Sequence, residues 1–299
     1  MTLPRYASFA IPGLVDIVEG PGGFPLIKIG TEFSAAELFL HGGHVARFTP
    51  KGEKPLLWMS PASPYQDGKP IRGGMPVCFP WFSAHRTNKD FPIHGCVRFR
   101  SWEMGSAARL SDGRARVNLV LLSDEASRRF WPYDFKLELT ATVGKSLEIE
   151  LTATNTGADP FRYDDCLHTY FAVGDVRKAT VDGFDGIGYI DRINGDVRGV
   201  QKGILPIQEE ITHVHTRVAG RVEIRDAEWN RKIIIEQAGM DENVVWNPWE
   251  ATAAKNAEMA GLWKDFLCVE SGNCMDGMVV LAPGCSHTSW VRYGTGKLA

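Results

Sequence analysis

Three observations predict an all-β fold for this chain, a large antiparallel sandwich carrying one or two short helices. Short runs that alternate apolar with polar residues recur from end to end and close on glycine or polar turn residues. Stretches with helical periodicity are few. No low-complexity linker, solenoid-period repeat or break in composition divides the 299 residues, so one domain over 1–299 is expected.

In chain order, strands are predicted at Leu26–Ile29, Ala36–Phe48, Ala115–Leu122, Phe135–Val143, Leu147–Ala153, Val222–Arg225, Lys232–Glu236, Val279–Leu281 and His287–Arg292. Period-two alternation turns one set of side chains inward and the other outward in each. Asp124–Phe130 fits one or two helical turns after a Ser123 cap, and Trp249–Leu262 a short helix ended by Gly261. The stretch at 182–199, DGFDGIGYIDRINGDVRG, reads as a long functional loop or hairpin because glycine and aspartate dominate it.

The densest chemistry lies in Lys69–Trp102, KPIRGGMPVCFPWFSAHRTNKDFPIHGCVRFRSW. Arg72, His94 and Arg98 stand there among glycines, prolines and aromatics that set backbone shape rather than fill helix. Gly73 and Gly74 can leave ordinary backbone angles and admit a close neighbour. Pro76, Pro80 and Pro92 stiffen the run while Trp81, Phe82 and Phe91 offer flat apolar walls, a combination that suits a pocket floor. If Cys96–Trp102 is extended, Arg98 and Arg100 share one face. Guanidinium forks near a histidine suit an oxyanion, a phosphate above all.

With 44% hydrophobic and 23% charged residues, the chain has the composition of a well-cored globular protein. A formal net charge of −3 argues against nucleic acid or an anionic membrane as partner. Residues 1–20 lack a basic region followed by an apolar core and cleavage site, and no run is long enough to span a membrane, so a cytoplasmic protein is expected. The cysteines, Cys78, Cys96, Cys166, Cys268, Cys274 and Cys285, show no CxxC spacing and are expected to be free thiols.

RGGMPVCFPWF at 72–82 and HGCVRFRSW at 94–102 resemble the signature of the hexose-6-phosphate 1-epimerases, a branch of the aldose 1-epimerase, galactose mutarotase-like superfamily. Later landmarks follow in the family's order: CLHTYFAVGDV at 166–176, GFDGIGYID at 183–191, VVWNPWEA at 244–251 and LCVESGN at 267–273. The likeness runs from about Phe33 to near the C-terminus, specific as an ordered set and weak in any single piece. It implies a galactose mutarotase-like β-supersandwich, in which large twisted sheets pack face to face and a cleft opens on one concave surface. It also implies a cofactor-independent epimerase that interconverts the α and β anomers of a hexose 6-phosphate, with glucose 6-phosphate the foremost substrate.

Anomer interconversion opens the sugar ring: a base takes the C1 hydroxyl proton while an acid protonates the ring oxygen, and no metal or organic cofactor is needed. The resemblance implies Glu270 as the base and His168 as the acid, with Arg72, His94, Arg98 and Asp191 holding substrate. Without it, Glu270 reads as a strand-end carboxylate, His168 as a core histidine, His94 as a loop histidine bonded to backbone and Asp191 as a turn former. Paired arginines match a phosphate better than a neutral hydroxyl, which favours a sugar phosphate as the small-molecule partner. Arg192 stands where the family more often carries lysine, and Arg100 reads as a surface ion pair. Trp246, Asn247 and Trp249 are candidates for shaping the cleft.

The chain departs from the family at Ser83, where glycine is usual after PWF, and at Gly261, where an acidic residue is usual after Met259-Ala260. Two other classes stay open. One is a non-catalytic sugar-phosphate sensor that keeps the arginines. The other is a cupin-like metal enzyme using His213 and His215, but these lack a glutamate and third histidine at fitting spacing and read as surface or loop histidines. The chain is read as a monomer.

Overall fold

The computed structural model describes residues 2–298. Strand takes up 47% of the chain and helix 9%, the all-β outcome expected. An eight-stranded and a nine-stranded antiparallel sheet dominate, with a four-stranded sheet near the N-terminus and one separate strand pair.

In the nine-stranded sheet the strand Ser286–Lys297 pairs with Arg231–Ala238 on one side and Leu147–Asn155 on the other. Leu147, Ile149, Leu151 and Ala153 are buried while Glu150 is exposed, as the alternation requires. The eight-stranded sheet is built around Phe266–Asn273, which is buried at every position. One reason is the neighbouring sheet: Phe171 meets Tyr293 edge-on at 5.2 Å, and Thr169 shares a hydroxyl hydrogen bond of 2.9 Å with the same tyrosine. Burying a side chain such as Phe171 contributes about 1.5–3 kcal/mol, so such contacts hold the two sheets together.

Several expectations are corrected. Ala36–Phe48 is a hairpin of Ser34–Phe39 and His44–Pro50, turned through Gly42 and Gly43 at positive φ. The apolar pattern runs through both strands and hides the turn. The first helix is Glu125–Arg128, capped by Asp124 rather than Ser123: Asp124 accepts from Ser127 N at 2.8 Å while Ser127 Oγ accepts from Asp124 N at 2.9 Å. The second helix stops at Ala253, and beyond it Asn256 accepts from the Glu258 N–H at 2.9 Å, a local turn bond that competes with helix. Cys96–Trp102 is a run of turns, not a strand. The stretch at 182–199 holds all but the last residue of the hairpin of Gly188–Asp191 and Val197–Val200.

Candidate active site

Register decides what the cavity floor contains. Val244 stands opposite Glu270, Trp246 opposite Cys268 and Thr212 opposite Trp246, so Thr212, Val244, Trp246 and Glu270 share one sheet face and line one cavity of about 410 Å³. A larger groove of about 680 Å³ on the N-terminal strands carries Asp16, Lys28 and Glu37 but no histidine, and offers no comparable acid–base pair.

On the other side of Phe266–Asn273, Leu167 pairs with Ser271 and Tyr170 with Cys268. The two intervening residues break the ladder without shifting its register, so His168 stands across from Glu270. Its Nδ1 lies 3.4 Å from Glu270 Oε1 without a hydrogen bond. Glu270 is therefore in mid-strand, fifth in Phe266–Asn273, and not at the strand end expected. It is 1% exposed and His168 7%. Burial pushes the carboxyl well above its ordinary range, against the smaller opposing effects of the Cys166 thiol and the Arg98 charge. Burial, with Arg98 and Arg72 nearby, pulls His168 down to about 3. Both effects favour neutral groups, so the pair holds one proton between a carboxyl and an imidazole.

The wall opposite comes from Lys69–Trp102. Gly74 has φ 60°, and a Cβ there would meet Val45 O at 2.4 Å, which is why the chain can lie so close to the N-terminal sheet. Arg72 leaves that turn to line the cavity, donating from Nε to Glu258 Oε2 at 2.7 Å and from Nη1 to the Tyr170 hydroxyl at 3.1 Å. Tyr170 in turn stacks on His168, with ring centroids 4.9 Å apart and 9° between planes. Arg98 donates from Nη2 to Ile93 O at 2.8 Å, and its buried Nε has no partner among the described residues. His94, at φ 64°, accepts from Ser83 N at 3.1 Å and meets the His168 ring edge-on at 5.3 Å. His94 thus bonds backbone and at the same time lines the cavity. Ser83 itself has φ 65°, a left-handed conformation that accounts for the usual glycine.

Other sequence candidates lie elsewhere. Asp191 does not line the cavity: its Oδ1 accepts from the N–H groups of Ile193 and Asn194, and its Oδ2 from the Asn194 amide at 2.7 Å. It fixes the turn that carries Arg192, which does line the cavity and pairs with Asp196 at 3.1 Å. Arg100 turns away from Arg98 to pair with Asp124. His213 and His215 are not surface or loop residues but lie within the strand Ile211–Thr216, where His215 is fully buried against the Phe184 ring at 3.9 Å. Trp246 shapes the cleft, whereas Asn247 is buried and ties Trp263 and Phe266 carbonyls together. All the cysteines are free thiols.

Donor atoms of His168, Cys268 and Glu270 come within 4.8 Å of one another. A cation among them would face the positive charges of Arg98 and Arg72, and burial holds the Cys268 thiol protonated, so the set suits proton transfer better than metal binding. Sequence reasoning missed Glu258, Tyr170 and Cys166. Tyr170 and Cys166 had a signal, since each lies two residues from His168; Glu258 reaches the site only through a tertiary contact.

A β-sandwich whose cleft buries a carboxyl beside an imidazole has the groups that an isomerase of the mutarotase class needs. Comparison with known proteins narrows this further. The chain belongs to the aldose 1-epimerase family, whose model matches residues 25–294. An Escherichia coli K12 protein named "Putative glucose-6-phosphate 1-epimerase" is 34% identical over 254 residues, 84% of this chain and 84% of its own length. A protein of that name from Cenchrus ciliaris is 29% identical over 280 residues, 90% of this chain and 84% of its own. The crystal structure of a "putative mutarotase" from Salmonella typhimurium matches with a TM-score of 0.89 at 29% identity, over 96% of this chain and 95% of that one. Among the described residues no helix is long and apolar enough to cross a membrane.

Proposed function

We propose that the protein is a 1-epimerase of hexose 6-phosphates, glucose 6-phosphate foremost, acting by proton transfer alone within one domain over 1–299. The observation that carries this reading is a single cavity lined by Glu270, His168, Arg72 and Arg98 together. Glu270 removes the C1 hydroxyl proton, the C1–O5 bond breaks as C1 becomes a carbonyl, and His168 protonates O5. After rotation about C1–C2 the ring closes on the other carbonyl face with the roles reversed. The resting pair reaches the required state when its one proton moves from Glu270 to His168, which leaves its net charge unchanged. A C1 hydroxyl donating to the carboxylate favours that move. His94 meets a sugar hydroxyl, and Arg98 and Arg72 hold the phosphate.

The test is magnetisation-exchange NMR of the anomeric protons. Fast exchange with glucose 6-phosphate and slow exchange with glucose are expected. Equal rates with both sugars would remove the phosphate from the proposal, and binding without exchange above the buffer rate would make the protein a sensor.

Glu258 leads to a second expected result. It offsets the Arg72 charge and supplies an acid where the family's position, Gly261, has none. Glu258→Gln is expected to lower KM for glucose 6-phosphate about fivefold, equivalent to about 1 kcal/mol, and to leave KM for glucose unchanged. Steady-state kinetics at low salt measures both.

A further inference from the structure

We infer that Cys166 is a positioning residue for the reaction, its thiol donating to Glu270 Oε2 and holding that carboxylate in the orientation that faces His168. The inference rests on Glu270 being the base. The sulfur lies 3.5 Å from Oε2, both residues are buried, and among the described residues no other group donates to the Glu270 side chain. The sheet is shaped for this contact. Cys166 pairs with Gly272, two residues along the same face from Glu270. A Cβ on Gly272 would stand 2.9 Å from the Cys166 Cβ, so only glycine leaves the thiol room to lean toward the carboxylate.

The remaining groups around Glu270 do not replace this donor. Its own strand presents the Cys268 thiol, and the charge of Glu270 also bears on Cys78 and Cys274, all three held protonated by burial. Tyr170 and, from the other sheet, Tyr293 are likewise neutral phenols there. His168 is neutral, which leaves Arg98 as the positive charge acting on the carboxylate, through space and without a hydrogen bond. A thiol donor favours the ionised, base-competent carboxylate in a place where burial opposes it. The contact therefore acts on catalysis and not only on packing.

The experiment compares wild type with Cys166→Ala, Cys166→Ser and Glu270→Gln. Anomer exchange of glucose 6-phosphate gives the pH profile of kcat/KM. Carbon-13 NMR of labelled glutamate titrates Glu270 without turnover, its signal identified by its absence from Glu270→Gln. In Cys166→Ala the Glu270 midpoint and the alkaline limb of the profile, where the pair loses its one proton, are expected to move up together by roughly half to one pH unit. Below that midpoint, where the proton must leave Glu270 for His168, this is a three- to tenfold loss of kcat/KM by the same arithmetic, and the two profiles converge above it. In Cys166→Ser, which keeps a hydroxyl donor in nearly the same volume, the midpoint is expected to move down. A midpoint unmoved in both variants, or activity lost with no shift, overturns the inference and leaves Cys166 a space filler. An active Glu270→Gln instead overturns the assignment of the base, a failure read from that variant alone.

Discussion

Glu270→Gln is expected to bind glucose 6-phosphate, to melt at a higher temperature than the parent at neutral pH, and to lose about 10²- to 10⁴-fold in kcat for anomer exchange. The two effects have one cause. Glutamine keeps the shape of the side chain but cannot take the C1 hydroxyl proton, so turnover goes. It also cannot ionise. The folded-state pKa of Glu270 is raised above its ordinary value of 4.5, so the stability linked to its neutral form is fully present below that pH and lost as pH rises through the raised value. The melting-temperature difference between variant and parent should therefore be small near pH 4.5 and grow toward alkaline pH. Thermal melts across that range decide it: a flat difference would mean that burial does not destabilise the carboxylate, and a destabilised variant would make its inactivity uninformative.

Arg98→Met is expected to raise KM for glucose 6-phosphate at least about 30-fold, equivalent to about 2 kcal/mol or more, while exchange of free glucose changes little. Arg98 lines the cavity beside Glu270 and His168 with a buried Nε that has no partner among the described residues, whereas Arg72 is already engaged by Glu258. An anion therefore gains more from Arg98, and methionine retains much of the apolar stem while removing the charge. Kinetics with both sugars and a thermal melt separate the possibilities. Equal losses with both sugars would assign Arg98 to ring binding or to support of the loop.

The alternation in Leu147–Asn155 and Phe135–Val143 made the nine-stranded sheet legible, since one face is buried and the other wet. The eight-stranded sheet was not legible in this way. Phe266–Asn273 is covered on both faces, so its burial has no period, and Glu270 at its middle was placed at an end. Arg98 and Arg100 were assigned one face on the assumption of a strand; turns send one into the cavity and the other to Asp124. Asp191 was a substrate ligand by motif, yet its carboxylate oxygens accept the turn's own hydrogen bonds.

From the sequence alone came the all-β class, because alternation and turn residues are local properties. The motifs carrying Arg72, His94, Arg98, His168 and Glu270 were also legible there as an ordered set that resembles one family, whereas His168 and Glu270 taken singly read as ordinary structural residues. Which of them meet was decided by tertiary structure. Cys166 and Glu270 are 104 residues apart in the chain, and Arg72 and Glu258 186. Their contacts depend on strand partner and register, and a period-two pattern specifies a face without naming its neighbour. Only the completed ladder, with His168 across from Glu270 and Gly272 making room beside it, turns those residues into one site.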